Sequence, residues 1–206
     1  MKFSDTGTLS PDDIQARLGK LTASRMADAQ SFLKNGKESA ERRKLKFDLL
    51  AERLTGIFVP HHVTGAMLHG IESEPLAKQA YQDLTGRKIR PASFLDHPSL
   101  DGFGATPDGF VESGLIEIKC PTTPKFISWR LEGVVPDEHK PQMIAQCLVT
   151  QKDWVDFVAF DPRMPAGKQI MVLRYVPTSE EKDSVYSEAV VFLSELDAMF
   201  EKIAGQ

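Results

Sequence analysis

The chain has 206 residues, 41% of them hydrophobic and 26% charged, with a formal net charge of −4 at pH 7. That length buries a core without disulfides or a structural metal, and it predicts a single domain over residues 1–206. The acidic balance argues against a protein that coats nucleic acid over a large face, yet it is compatible with a local basic groove beside a cluster of acids.

The two cysteines, Cys120 and Cys147, lack metal-ligand spacing, and a reducing cytoplasm without disulfides is expected. Met1 to Ser10 carries no apolar run, and no stretch approaches the roughly 20 apolar residues that span a bilayer. The expectation is a soluble cytoplasmic protein with no membrane partner. His61, His62, His69, His97 and His139 show no ligand spacing, which speaks against zinc.

Ser10-Pro11-Asp12-Asp13 predicts a capped helix running to about Arg17. Gly19, Thr22, Ser24 and Arg25 then predict a loop entering another helix, where arginine and hydroxyls serve either as caps or as a phosphate cradle. The basic run from Lys34 through Arg42 and Arg43 to Lys46 reads as a solvated helix face or a DNA-backbone contact. Its helix continues through Phe47, Leu50 and Leu54 and stops at Gly56.

Residues 63–84 predict a helix that kinks or restarts near Glu74, because Pro75 removes a backbone donor and crowds the preceding turn. On a helical wheel Glu74 shares the stripe of Ile71, Ala77, Tyr81 and Leu84, whereas Glu72 falls nearly opposite. A carboxylate on an apolar stripe needs a cation, so Glu74 is either a third acid for a metal centre or a capping group. Lys88 to Leu95 reads as a strand, and Asp96 and Asp101 as turn residues.

Residues 104–119 predict two short strands joined at Glu112-Ser113-Gly114. Side chains two apart share a face, so Glu117 and Lys119 point one way and Leu115, Ile116 and Ile118 are left for packing. Across the turn Asp108 falls roughly opposite Glu117, bringing two acids and a lysine together. Such a set suits metal-dependent phosphodiester hydrolysis, in which hard carboxylates hold Mg²⁺ and a lysine orients or deprotonates water.

Beyond the break at Cys120-Pro121, helices are predicted over 125–131 and 137–151, the second carrying Gln142 and Gln146 one turn apart. Strands over 154–160 and 169–176 flank a turn at 161–167. A capping box at Thr178 and Glu181 opens a last helix, with Val185, Ala189, Phe192, Leu193, Leu196, Met199, Phe200 and Ile203 as its core stripe.

The spacing Pro107-Asp108, eight residues, Glu117-Ile118-Lys119 resembles the PD-(D/E)xK nuclease signature. Further words are similar to the YqaJ-type viral recombinases, the family of the phage lambda exonuclease. They are Arg17-Leu18-Gly19 with Thr22-Ala23-Ser24, Leu49-Leu50-Ala51-Glu52 with Thr55-Gly56, Gly70 with Glu74, Cys120-Pro121, Arg130-Leu131 with Gly133, Ala145-Gln146 and Asp161-Pro162-Arg163-Met164. Their order covers nearly the whole chain.

The resemblance implies an α/β fold with a restriction-endonuclease-like core, a central mixed β-sheet flanked by helices. It implies a processive 5′ to 3′ double-stranded DNA exonuclease that leaves 3′ overhangs for phage-type recombination. Two Mg²⁺ ions, with Mn²⁺ as a substitute, a homotrimeric ring and a single-strand annealing partner come with it. Carried over residue by residue, Glu74, Asp108, Glu117 and Ile118 form the metal set. Lys119 positions or activates water, Gln146 assists, and Arg17, Ser24, Thr106 and Lys125 fall where the family binds the terminal 5′-phosphate. A tyrosine of the lambda enzyme is replaced by Met143, and Gln142 is the candidate to compensate. An endonuclease of the same superfamily and a non-catalytic DNA-binding recombination subunit remain the alternatives.

Overall fold

The computed structural model of the protein describes residues 11–60 and 64–205. The expected cap at Ser10 and the histidines His61 and His62 lie outside them. Helix α1 (Pro11–Arg17) leads into a short strand β1 (Leu21–Thr22), a single tight turn and α2 (Met26–Ala29). Helix α3 (Ala40–Thr55) is capped by the Ser39 hydroxyl and ends at Gly56, whose φ of 68° is the left-handed cap expected of glycine.

Helix α4 (Gly65–Thr85) runs through Pro75 as one element, so of the kink or restart expected near Glu74 the restart does not occur. Proline forfeits one hydrogen bond, and the cap from Thr64 together with the buried Ala77 and Tyr81 holds the remaining turns. Leu84, expected on the buried stripe, is 61% exposed. The predicted strand over 88–95 is two separate pieces, β2 (Ile89–Arg90) and β3 (Leu95–Asp96), which belong to different sheets.

Strand β4 (Phe103–Ala105) likewise leaves the predicted hairpin and joins a three-stranded sheet, β1-β4-β3. The hairpin proper is β5 (Gly109–Val111) and β6 (Gly114–Lys119), turning at Glu112 with φ 50°. Helix α5 (Thr123–Glu132) follows; then a 3₁₀ turn at 137–139 precedes α6 (Lys140–Thr150), splitting the single helix expected there. Strands β7 (Val155–Phe160) and β8 (Ile170–Tyr175) and helix α7 (Ser179–Ala204) complete the order, the last with the expected capping box.

The larger sheet has the order β2-β5-β6-β7-β8, with β6 and β7 parallel and the other pairs antiparallel. Its central strands are covered on both sides, which is why β6 is buried nearly throughout rather than alternating. Ile116 and Ile118 pack with Ala77 and Tyr81 of α4. Leu115, also expected to pack, does so on the opposite side, against Phe126, Trp129 and Met143 of α5 and α6.

A third cluster joins α2, α3, α6 and α7 through Leu45, Leu50, Ile144, Phe192 and Leu196. Ile203, expected in this stripe, is 49% exposed because the helix overruns its partners. Arg42, expected in a basic surface run, is buried: its guanidinium donates to the Ala29 carbonyl at 2.8 Å and to Glu195 at 2.6 Å. Lys46 pairs with the same Glu195, and Lys44 with Asp48. Phe192→Ala is expected to cost about 3–5 kcal/mol, read as a lowered urea midpoint, because the vacated ring volume lies at the junction of these helices.

Candidate active site

The pairing of Gly109 with Ile116 places Asp108 and Glu117 next to each other across the β5–β6 ladder. Asp108 accepts a hydrogen bond from the Ile118 backbone N–H at 2.7 Å, which holds its carboxylate at the end of the strand. Glu117 is buried, and both of its oxygens are occupied. Gln142 Nε2 and Lys119 Nζ each approach Oε1 at 2.6 Å, and Gln146 Nε2 donates to Oε2 at 2.6 Å. The one-turn spacing on α6 is what lets both amides reach one carboxylate.

Lys119 Nζ also donates to Gln142 Oε1 at 3.0 Å, so Gln142 ties the amine to the acid. The sequence offered only its spacing from Gln146; the link to Lys119 depends on how α6 lies on β6. Burial disfavours the charged amine, but the charge and hydrogen bond of Glu117 outweigh it and raise the Lys119 pKa. Asp108 is pushed well above the usual carboxylate range, by burial first and then by the charges of Glu117 and Glu74.

Glu74 arrives from α4 and lines the same cavity, about 470 Å³ in volume, together with Asp108, Glu117, Lys119, Gln142 and Gln146. Its carboxylate pairs with Lys78 at 2.7 Å. Arg17, Ser24 and Thr106 line the cavity as well. Arg17 donates to the Thr106 hydroxyl at 2.7 Å, Ser24 contacts the Thr22 hydroxyl at 3.1 Å, and Arg17 Nε is buried without an acceptor among the described residues. Burial lowers the Arg17 pKa, the mark of a guanidinium removed from water. Such a donor suits an anion.

Lys125 stands apart from these three. It pairs with Glu138 at 2.7 Å, lies over the Trp129 ring, and lines a neighbouring cavity with His139 and Arg163. Lys119 and Cys120 border both cavities. His139 stacks on Phe157, and burial takes its pKa down to about 4. The turn at 161–167 braces the site from behind. Buried Asp161 accepts from Arg163 Nε at 2.7 Å, and Arg163 donates to the Pro121 carbonyl at 3.0 Å, pinning the chain just beyond Lys119.

Among the described residues no three His, Cys, Asp or Glu side chains converge as a metal-holding group. Glu74 is paired with Lys78, and Glu117 accepts from N–H donors on both of its oxygens. The donor set nonetheless fits a hard divalent cation. Carboxylate oxygens gathered at one cavity, with the charges of Glu117 and Glu74 raising the proton affinity of Asp108, are groups such an ion stabilises, and oxygen-only ligation suits Mg²⁺. Ile118 has only its backbone carbonyl to contribute.

Residues 14–153 match the YqaJ-like viral recombinase domain. The chain is similar to the alkaline exonuclease LHK-Exo from Laribacter hongkongensis, with 37% identity, a TM-score of 0.86, and coverage of 95% of this chain and 96% of that one. The structure of LHK-Exo in complex with dAMP gives 36% identity and a TM-score of 0.87, over 94% and 96% of the two chains. A phage-related exonuclease from Haemophilus somnus 129PT shares the fold at 12% identity, with a TM-score of 0.68 over 89% and 96% of the two chains. No curated protein matches the chain by sequence.

The helix-flanked mixed sheet is thus the restriction-endonuclease-like α/β core expected of a nuclease. With the acids and the lysine set at the end of its β6 strand and the domain match spanning most of the sequence, the chain belongs to the YqaJ-like viral recombinase family.

Proposed function

We propose that the protein is a Mg²⁺-dependent exonuclease that degrades one strand of duplex DNA from 5′ to 3′ and leaves 3′ single-stranded overhangs for recombination by strand annealing. The observation that carries this reading is one cavity with two chemistries: Asp108, Glu117 and Lys119 on one side, and, beside Thr106 on the other, an arginine whose buried Nε has no acceptor among the described residues. A cut placed next to a seat for a terminal phosphate defines polarity. Each hydrolysis exposes a new 5′-phosphate, which re-enters the seat and brings the next linkage forward.

Asp108, Glu117 and Glu74, with the Ile118 carbonyl, are the residues to hold Mg²⁺ or Mn²⁺. A pair of such ions supplies positive charge against the scissile phosphate and the leaving 3′-oxygen. Lys119, held between Glu117 and Gln142, positions or activates the water for in-line attack. Gln142 and Gln146 fix the Glu117 carboxylate, so that neither oxygen rotates out of the cavity. Arg17, Ser24 and Thr106 take the terminal phosphate, and Lys125 attracts the strand from the neighbouring cavity. A homotrimeric ring, a single-strand annealing partner and a cytoplasmic setting complete the proposal.

Digestion of linear, nicked and closed-circular duplexes, each end type with and without a 5′-phosphate, tests it. Degradation of linear duplex with Mg²⁺ and survival of the closed circle are expected; cutting of the circle indicates an endonuclease. Arg17→Ala is expected to slow digestion of 5′-phosphorylated ends by about 10- to 100-fold, the range for one charge-assisted hydrogen bond. Digestion of 5′-hydroxyl ends should change little, and equal losses on both ends would remove Arg17 from the phosphate seat.

A further inference from the structure

Glu74 and Lys78 lie one turn apart on α4, with Glu74 Oε1 and Lys78 Nζ 2.7 Å from each other. The order, acid before base at this spacing, is the favourable one along a helix. Glu74 borders the cavity, whereas Lys78 is not among the residues that line it. The Lys78 ammonium thus holds one oxygen of the Glu74 carboxylate at the edge of the cavity that Asp108 and Glu117 also line. Three acids, Glu74, Asp108 and Glu117, line this one cavity, and Glu74 is the one paired with a lysine from outside its lining.

We propose that Lys78 is a positioning residue that competes with the divalent cation for Glu74, so that the third acid joins the site only when a bound cation displaces the ammonium. The inference rests on reading Asp108, Glu117 and Glu74 as cation ligands. Both partners of the pair are partly exposed, at 30% for Lys78 and 23% for Glu74, so water solvates the lysine once it is released. A pair of this kind is weak enough for a divalent charge to displace. It is also strong enough to keep Glu74 from adding its full repulsion to Asp108 while no cation is bound. The charge of Glu74 does reach the centre, since it contributes to raising both Asp108 and Cys120.

The test is Mn²⁺ binding to the full chain, followed by electron paramagnetic resonance and calorimetry, with melting curves to show that each variant is folded. Lys78→Met keeps length and helix propensity while removing the charge. It is expected to tighten Mn²⁺ binding by about 1.5- to 2.5-fold, the scale of one partly exposed helix pair. Glu74→Gln weakens binding, and adding Lys78→Met to Glu74→Gln produces no further change. Unchanged or weaker binding by Lys78→Met alone overturns the competition, as does an equal gain in the Glu74→Gln background, which marks a general charge effect. Asp108→Asn separates the two readings. If it abolishes binding while Lys78→Met has no effect, the cation site stands and the competition fails; if Asp108→Asn leaves binding intact, the cation site itself is misplaced and the proposal falls with it.

Discussion

Lys119→Ala is expected to lower the rate of duplex degradation by about 10²–10⁴-fold, the range for loss of a positioned acid, base or electrostatic donor, while end binding stays measurable. Lys119 contacts Glu117 and Gln142 and borders both cavities, but the hydrogen bond between Arg17 and Thr106, the proposed phosphate seat, does not involve it. Gel shift on a 5′-phosphorylated duplex, read beside single-turnover nucleotide release, checks both halves. Ready digestion by the variant would remove the lysine from the chemistry. Glu117 keeps its two amide donors when the lysine is truncated, so the fold is expected to survive.

Asp108→Asn is expected to stabilise the metal-free protein and to abolish activity. The wild-type carboxylate is half-buried and withdrawn from water beside the charges of Glu117 and Glu74, so its folded-state pKa lies well above the unfolded one. The folded state then holds a proton that the unfolded state releases. Stability in metal-free buffer is full below the ordinary carboxylate range and falls as pH rises toward the raised value. An amide carries no charge and keeps an oxygen for the Ile118 N–H, so the variant escapes this loss. A rise of a few degrees in the melting midpoint near neutral pH is expected, since about 1 kcal/mol moves the midpoint of a chain this size by roughly 2–4 °C. Melting in EDTA and in Mg²⁺ from pH 5 to 8 reads it. An unchanged midpoint across that range would mean that Asp108 is not under charge stress, and the case for a cation at this position would weaken.

The centre of this site was legible because it is local. Strand alternation put Glu117 and Lys119 on one face, and the turn at Glu112 to Gly114 set Asp108 against Glu117; both follow from backbone geometry within about a dozen residues. The helical stripe placed Glu74 with Ala77 and Tyr81, and Glu74 does reach the cavity, although the same stripe ran on to Leu84, where α4 extends past its cover. The strand expected over 88–95 failed for the opposite reason. Ile89 and Leu95 pair with strands of different sheets, and nothing in a short apolar run says which sheet it will meet.

Amino-acid order alone thus determined the helices with strong caps, the β5–β6 hairpin and the juxtaposition of two carboxylates with an amine, since each depends on neighbours in the chain. Tertiary structure alone decided that Arg42 is a core residue, that Lys125 stands in a different cavity from Arg17, and that Gln142 joins Lys119 to Glu117. These contacts link residues brought together by the packing of helices on sheets. That packing is set by the burial of whole faces, a quantity that no short stretch of sequence contains.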